Sequence, residues 1–417
     1  MTLNSKIKTF NYNKYINYLA VFYAFTIPLS RAGIVFAALS MILLWLLEGN
    51  FKEKFKTITS YKFVNLGLIL FLYLVLSISW SENTLQGFKH FERFWYFGTF
   101  FVLITSLKKE YIKYIISAFI LAMLISEVLS YGIVFEFWQL KHGSPSNPTP
   151  IMYHVEYSLF LAFTSLLLLN KVFIEESIKY KIFYSIFFLT ATGNLFLGQG
   201  RAGQLIFILS LFVLFIVNMK SKLKSFILAA TLSIFVVFIA YNTSSTFEKR
   251  VNLSKMDIEK FLAGNYSESW GARVSAWIAT KEILESNLLF GTGVGDFRDH
   301  YKELMITENT PRTSNKHVIG AAGYHSDFIE ITASGGIIAM LLFISIFYYM
   351  YKLDIINKEY RNTLVILISV FAMGNIAASF LRLQFTMDLF SLFAALLVIV
   401  KQNEGREKLY EKNFNNK

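Results

Sequence analysis

The sequence predicts an all-α polytopic membrane protein with about 12 transmembrane helices and one large helical loop between spans 9 and 10. Three observations favour this class. Of the 417 residues, 55% are hydrophobic, including 43 Phe. Only 16% are charged, whereas a typical soluble domain has about 25%. The apolar residues also fall in blocks that are too long for the buried core helices of a soluble protein.

Twelve spans can be placed on these apolar blocks. The fourth, sixth and twelfth are shorter than the roughly 20 residues that a perpendicular helix needs. No signal-peptide cleavage pattern accompanies the first span, so we expect that span to remain as an anchor. The approximate ranges are residues 15–28, 32–47, 63–80, 94–107, 114–132, 157–170, 182–197, 202–219, 226–241, 328–349, 363–381 and 389–400.

The charges between the spans predict which loops face the cytoplasm. With both termini cytoplasmic, the inner segments carry 24 Lys and Arg, whereas the five short outer loops carry six. Cytoplasmic loops are normally the basic ones, so this orientation is favoured. The large outer loop holds another ten, but long loops cross membranes largely regardless of their charge. Orientation therefore explains most of the positive charge and leaves the few outer cations unexplained.

The large outer loop contains the segments that suggest a water-exposed subdomain. Residues 272–286 have helical spacing with Trp277 on the apolar side, which predicts an interfacial amphipathic helix. Residues 291–297 form a glycine turn, and residues 308–324 are polar, which predicts a loop able to cover a site. The chain thus divides into a membrane domain of spans 1–9 (1–241), the outer loop (242–324), a membrane domain of spans 10–12 (325–400) and a charged cytoplasmic tail (401–417).

Two arginines stand out in the outer segments. Arg201 lies between Gly200 and Gly203 in a loop so short that its guanidinium must lie near the outer headgroup plane. A guanidinium at that depth is costly unless it is paired, and its planar fork matches phosphate oxygens. Arg273 lies at the start of the amphipathic helix. The alternative for both residues is an ordinary cation that extends towards lipid headgroups.

His325 directly precedes the tenth span, and a neutral imidazole can accept a proton near neutral pH. A structural role is the alternative. Without Cys there is no thiolate metal site, and Asp296 and Asp299 are interpreted as surface charges at a helix N-terminus rather than as a metal motif. We therefore expect no required metal. All six histidines are expected on the outer side: His90, His142, His154, His300, His317 and His325.

Taken together, these residues resemble the O-antigen ligase and polymerase family of bacterial envelope enzymes. The twelve-span layout extends the resemblance over the whole chain, whereas the specific motifs lie in residues 198–336. The family often has Ser where this chain has Gly200, and Asn where this chain has Ser326. The motifs occur in this order: Gly200-Arg201-Ala202-Gly203, Arg273 with Trp277, the spaced glycines Gly291, Gly293 and Gly295 before Phe297, and His325 followed by Gly335-Gly336.

The resemblance implies a metal-independent inverting glycosyltransferase of the bacterial inner membrane, with its active site facing the periplasm. The donor would be a glycan on undecaprenyl diphosphate and the acceptor would be lipid A–core. Besides membrane lipids, no cofactor and no nucleic acid is implied. Arg201 and Arg273 would be catalytic and hold the diphosphate, and His325 would take the proton of the acceptor hydroxyl. Lesser contacts to glycan or phosphate would come from Arg250, Arg31, Arg93 and Arg382.

An O-antigen ligase is the favoured hypothesis, and three alternatives remain. A repeat-unit polymerase would use the same donor chemistry, and the motifs separate it poorly from a ligase. A transporter of polyprenyl lipid or glycan would need discontinuous helices and charges near the midplane, where Glu127 is the one persuasive intramembrane charge in the sequence. A peptidoglycan-type polymerase would require an essential acid in the outer loop, with His325 dispensable.

Overall fold

The structure is a computed structural model that describes residues 10–263, 269–296, 299 and 326–415. These residues form helices joined by turns, without a β-strand, which confirms the predicted all-α membrane class. The predicted covering loop at 308–324 and His325 lie outside the described residues. The α-helices are α1 (Tyr12–Thr26), α2 (Arg31–Glu48), α3 (Phe51–Ile58), α4 (Lys62–Leu76), α5 (Thr84–Phe91), α6 (Gly98–Ser106), α7 (Ile112–Val134), α8 (His154–Ile174), α9 (Ile178–Leu197), α10 (Arg201–Asn218), α11 (Lys222–Thr243), α12 (Ser245–Leu262), α13 (Ser269–Ser286), α14 (Asp327–Tyr351), α15 (Lys358–Ala377) and α16 (Gln384–Asn415).

Nine helices in the described part of the chain are long and apolar enough to cross a membrane: α2, α4, α7, α8, α10, α11, α14, α15 and α16. The other three expected spans are also helical. They are α1 with 15 residues, α6 with nine residues and α9 with 20 residues. The first two are short for a perpendicular crossing, and Lys179 and Lys181 lower the hydropathy of α9. The protein is multi-pass, and the count of about 12 spans stays a prediction.

The sixth and twelfth expected spans are longer than their apolar blocks. The sixth corresponds to α8, with 21 residues, and the twelfth to α16, with 32 residues. Both are central: 78% of the apolar window of α8 and 83% of that of α16 is buried, against 22% for α2 and α11. Polar residues near the N-terminal ends of α8 and α16, such as Glu156 and Asp388, face protein rather than lipid, so composition alone starts these two spans too late.

A break in α14 anchors the large outer loop. Gly336 interrupts the helix with a positive φ of 67°, which glycine adopts without a Cβ clash. The N–H groups of Thr292 and Gly293 donate to the carbonyls of Ala333 and Ser334 at 3.0 and 2.9 Å. Irregular backbone at this depth is tolerated where protein groups satisfy it. The two glycine motifs of the sequence thus dock directly onto each other.

Asp296 corrects one sequence-based expectation. We predicted that Asp296 is a surface charge, but the residue is buried, with only 4% of its surface exposed. Its carboxylate accepts hydrogen bonds from the backbone N–H groups of Glu82 and Asn83 at 2.7 and 2.8 Å. Asn83 is the N-cap of α5, where unpaired N–H groups favour an anion. Asp296 therefore ties the outer loop to the start of α5, a tertiary contact that no local pattern reveals.

The membrane domain contains a buried acid that the sequence did not single out. Asp388 in α16 is 1% exposed, and the hydroxyl of Tyr23 in α1 donates to its Oδ1 at 2.7 Å. Glu127 in α7 is also buried, at 3% exposure. Among the described residues, no arginine forms an ion pair with Glu127. Intramembrane charge is thus not limited to Glu127.

Candidate functional site

Arg201 is the first residue of α10, and two glycines let its loop pack against α8. A Cβ at Gly200 would lie 2.2 Å from the Cβ of Ser158, and a Cβ at Gly203 would lie 2.3 Å from the Ser158 carbonyl oxygen. Contacts this short exclude a larger side chain unless the backbone moves. The two glycines therefore allow Arg201 to lie beside the first turn of α8.

The Arg201 guanidinium is half-buried against α12. Its Nη1 donates to Ser254 Oγ at 3.0 Å and lies 3.5 Å from Asp257 Oδ2. Asp257 is buried, so its carboxylate offsets part of the cost of holding Arg201 at the membrane surface. A guanidinium carries five N–H donors, so these two contacts leave capacity for a further anion.

Arg250 on α12 and Arg273 on α13 lie beside Arg201, and we call these three residues the arginine cluster. Burial lowers the pKa of Arg250, and the charge of Arg201 lowers it further, against the opposing effect of Asp257. Burial and then the charge of Arg201 also lower the pKa of Arg273. Arg250 donates in addition to Gln199 Oε1, in the loop before Arg201. Since the charge of Arg201 disfavours the charged form of both Arg250 and Arg273, an anion bound beside Arg201 would be stabilised.

His154, the first residue of α8, faces the same cluster. Both Arg250 and Arg201 act electrostatically on its half-buried imidazole. Its carbonyl oxygen would lie 2.7 Å from a Cβ on Gly200, so the start of α8 touches the Arg201 loop. The sequence identified His154 only as one of six outer histidines. Its place depends on the packing of α8 against α10, which local spacing does not reveal.

A second group of cations surrounds two buried acids. Arg31 Nη2 lies 4.0 Å from Glu156 Oε2, and Arg93 acts on the same carboxylate. Arg382 forms an ion pair with Glu330 in the first turns of α14. The four lesser contacts expected from the sequence thus divide: Arg250 belongs to the arginine cluster, whereas the other three accompany Glu156 and Glu330.

Two cavities that share lining residues lie next to this second group. The larger has a volume of about 440 Å³ and is lined mostly by apolar side chains, many of them Phe and Leu residues of α4, α6 and α14. The smaller has a volume of about 190 Å³, and its lining includes Lys89, Arg93 and Arg382. His90 and Arg382 line both. We call the two cavities together the apolar chamber. Its larger part is apolar, and its smaller part has several basic side chains in its lining.

His325 lies outside the described residues, and its neighbour Ser326 lies at the start of α14. Ser326 is 1% exposed and is the N-cap of α14, where its Oγ accepts from the Ile329 N–H. The same hydroxyl donates to the carbonyl of Asn375 in α15 at 2.9 Å. The structure thus brings Arg201, Arg250 and Arg273 together and leaves the predicted role of His325 untested.

The arginine cluster suits a multiply charged anion at the surface of an apolar bundle. Guanidinium forks match phosphate oxygens, and the partial burial of the cluster strengthens such contacts. Among the described residues, no group of three or more His, Cys, Asp and Glu side chains is placed to hold a metal ion.

The comparison with known protein families agrees with this chemistry. Residues 186–344 match the family model described as O-antigen ligase. The matched stretch includes Arg201, Arg250, Arg273 and the position of His325. It also includes both docked glycine motifs, but not Arg31, Arg93, Arg382 or His154. No curated protein matches the chain.

Proposed function

Because residues 186–344 match the family model described as O-antigen ligase, we propose that the protein is a metal-independent glycosyltransferase of the bacterial inner membrane. It moves a glycan from undecaprenyl diphosphate to a sugar hydroxyl of lipid A–core at the periplasmic face. The observation that carries this proposal is the arginine cluster. Arg201 contacts Ser254 and Asp257 on the helix that bears Arg250, Arg250 donates to Gln199 in the loop before Arg201, and the charge of Arg201 acts on both Arg250 and Arg273. A diphosphate is the part of the donor that such a cluster recognises.

In the proposed reaction the acceptor hydroxyl attacks the anomeric carbon from the face opposite the diphosphate. A new carbon–oxygen bond forms as the bond to the diphosphate breaks, and the bonding electron pair leaves with the diphosphate. The proton of the hydroxyl passes to the His325 imidazole. Attack in line inverts the anomeric centre.

Electrostatic stabilisation is the main role of the arginine cluster in this scheme. Negative charge grows on the leaving diphosphate as the bond breaks, and Arg201 and Arg273 would stabilise it. The electrostatic effect of Arg201 on Arg273 supports this assignment. Loss of one such preorganised contact typically raises a barrier by about 2.7–4 kcal/mol. The imidazole adds general-base catalysis of roughly 10²–10⁴-fold. Together these effects replace the Lewis acid that many other enzymes use for charge stabilisation.

A repeat-unit polymerase is the second candidate, because the family covers both activities and the donor chemistry is shared. It would transfer the glycan to the end of another lipid-linked repeat unit instead of to lipid A–core. The arginine cluster supports a diphosphate donor in both cases and does not favour either acceptor. We place the ligase first because the whole-chain layout resembles that of ligases.

The proposal is tested by reconstitution in vesicles with a defined lipid-linked glycan and lipid A–core. Glycan attached to lipid A–core supports a ligase, whereas longer lipid-linked products support a polymerase. Movement of labelled lipid between leaflets without either product would overturn the glycosyltransferase.

The role of His325 has its own test in the same vesicles. His325→Ala should abolish transfer while the donor still binds, since the imidazole acts on the acceptor proton and not on the diphosphate. His142→Ala, at another histidine expected on the outer side, is the matched control and should transfer normally. Full activity of the His325→Ala protein would remove His325 from the scheme.

A further inference from the structure

The first turn of α8 separates the two groups of cations. The charges of Arg250 and Arg201 act on His154. Glu156, two residues later, forms an ion pair with Arg31, and the charge of Arg93 also acts on it. Side chains two residues apart point to opposite sides of an α-helix. The arginine cluster and the apolar chamber therefore lie on different sides of α8, and a lipid headgroup held by one is not held by the other.

The apolar chamber has the form of a lipid-binding site. Its larger cavity of about 440 Å³ falls within the usual range of ligand pockets, which are mostly apolar with a few polar groups. Phe63, Phe71 and Phe347 are among the aromatic side chains that line it. At its other end the smaller cavity is lined by Lys89, Arg93 and other polar residues. A hydrocarbon chain with an anionic headgroup matches both ends.

The charges at the polar end favour an anion, since Lys89, Arg93 and Arg382 outnumber the one acidic residue, Glu92, in the lining of the smaller cavity. Within the described ranges no carboxylate lies at ion-pair distance from Lys89 or Arg93. Arg382, in contrast, is paired with Glu330. The polar end therefore offers two basic side chains for a phosphate.

Two buried acceptors inside the chamber call for a further partner. Glu330 Oε2 and Ser334 Oγ are buried and have no hydrogen-bond partner, and both residues line the larger cavity. A buried acceptor without a donor is costly. A hydroxyl of a bound lipid headgroup or chain would satisfy one of them. Glu330 also lies one helical turn after Ser326, since its N–H donates to the Ser326 carbonyl at 3.1 Å.

We propose that the apolar chamber binds the acceptor lipid, a phosphorylated and hydroxyl-bearing glycolipid, on the side of α8 opposite the donor. The inference rests on the proposed function, which assigns the donor diphosphate to the arginine cluster. A second site with its own cations and its own apolar body is needed only if a second lipid takes part. One hydrocarbon chain lies among the Phe side chains, and a headgroup phosphate contacts Lys89 and Arg93.

The apolar half of the site is tested by filling it. Gly67 lines the larger cavity, and a Cβ added there meets nothing within 4 Å, so Gly67→Phe occupies the cavity without a backbone clash. Leu72→Phe is the matched control, because Leu72 lies on the same helix and is 62% exposed. We expect Gly67→Phe to weaken binding of phosphorylated lipid A by about tenfold or more, with binding of undecaprenyl diphosphate unchanged. Leu72→Phe should change neither.

The cationic half is tested with the double variant Lys89→Ala/Arg93→Ala, with Lys141→Ala in another outer loop as the control. We expect the double variant to bind phosphorylated lipid A about tenfold or more weakly, and dephosphorylated lipid A as the wild type does. In the transfer assay it should raise the KM for the acceptor and leave the KM for the donor unchanged.

Three outcomes overturn the inference. In the first, the Gly67→Phe protein binds phosphorylated lipid A as tightly as the wild type does. In the second, the double variant binds phosphorylated and dephosphorylated lipid A equally weakly. In the third, the Gly67→Phe protein loses binding of undecaprenyl diphosphate and keeps binding of lipid A. The last would show that the chamber holds the prenyl chain of the donor. Because binding is measured without transfer, an inactive wild type would contradict the proposed function alone.

Discussion

At the scale of single residues, Arg201 combines a constrained position with a charge that is compensated from one side. Gly200 and Gly203 bring its backbone against α8, while Asp257 compensates the guanidinium from one side at 3.5 Å. The neighbouring Arg250 and Arg273 have lowered pKa values, caused first by burial and then by the charge of Arg201. The folded protein thus holds these cations at a cost that a bound diphosphate would offset.

Arg201→Lys should lower kcat by roughly 10²–10³-fold, because lysine keeps the charge but loses the planar fork that meets two phosphate oxygens. The measurement is the rate of transfer at saturating donor. Arg361→Lys, on the exposed start of α15, is the matched control and should behave as the wild type. A variant at position 201 that keeps wild-type turnover would mean that bidentate contact is not used.

Gly200→Ala should destabilise the protein by about 1–3 kcal/mol, since its Cβ would lie 2.2 Å from that of Ser158. Thermal unfolding in detergent measures the loss. Ser158→Gly should recover part of it in the double variant, although glycine within a helix costs roughly 0.5–1 kcal/mol itself. Purely additive losses would show that the two positions do not touch.

Some candidate site residues could be picked out from the sequence and others could not. Arg201 and Arg273 lie in a short loop and at a helix start, where a cation is unusual, and in the structure the charge of Arg201 acts on Arg273. Their catalytic roles stay predictions. The sequence did not single out His154, Lys89 and Glu330 as site residues, because their positions depend on helices that are far apart in sequence and adjacent in space.

At the scale of elements, the broken helix α14 joins the outer loop to the membrane bundle. The carbonyls of Ala333 and Ser334, released by the break, accept from Thr292 and Gly293, and Ile337 N–H donates to the Leu288 carbonyl at 3.0 Å. The glycine motifs could be recognised from the sequence. Their mutual docking could not, because it requires the positive φ of Gly336.

Gly336→Ala should impair folding strongly, because the new Cβ would lie 2.2 Å from the Leu289 carbonyl oxygen and the backbone has a positive φ. We expect lower yield of monodisperse protein and a lower Tm. Gly67→Ala is the control, since open space surrounds that position, and it should leave both unchanged. Equal behaviour of the two variants would contradict the docked arrangement.

Span boundaries were predictable where the helix is apolar throughout and failed where polar residues belong to the protein interior. The ranges for α7 and α10 follow from composition alone. For α8 and α16 the sequence shortened the helix, because His154, Glu156 and Asp388 interrupt the apolar blocks yet face other helices. High hydropathy marks helices that contact lipid, and the central helices have little contact with lipid.

At the scale of the whole molecule, cations from several helices lie at the same end of the bundle. The starts of α2, α8 and α10 meet there, through Arg31 with Glu156 and through Gly200 with His154. Two lipids could thus be held by one rigid frame, with α8 between them. Transfer between two membrane-bound substrates requires such proximity, because orientation of the reacting groups lowers the barrier.

A donor analogue should stabilise the whole protein. Undecaprenyl diphosphate at about 100 times its Kd should add roughly 2.7 kcal/mol to the free energy of unfolding, seen as a higher Tm. Undecaprenol, which lacks the diphosphate, is the control and should give a much smaller shift. Equal shifts with both lipids would assign the stabilisation to the prenyl chain rather than to the arginine cluster.

The most direct test of the central claim is equilibrium binding of undecaprenyl diphosphate to the protein in nanodiscs. We predict that Arg201→Ala/Arg273→Ala binds this lipid at least about 100-fold more weakly than the wild type, from the loss of two charge-assisted contacts. Lys141→Ala should bind as the wild type does. Unchanged affinity in the double variant would contradict the assignment of the diphosphate to the arginine cluster.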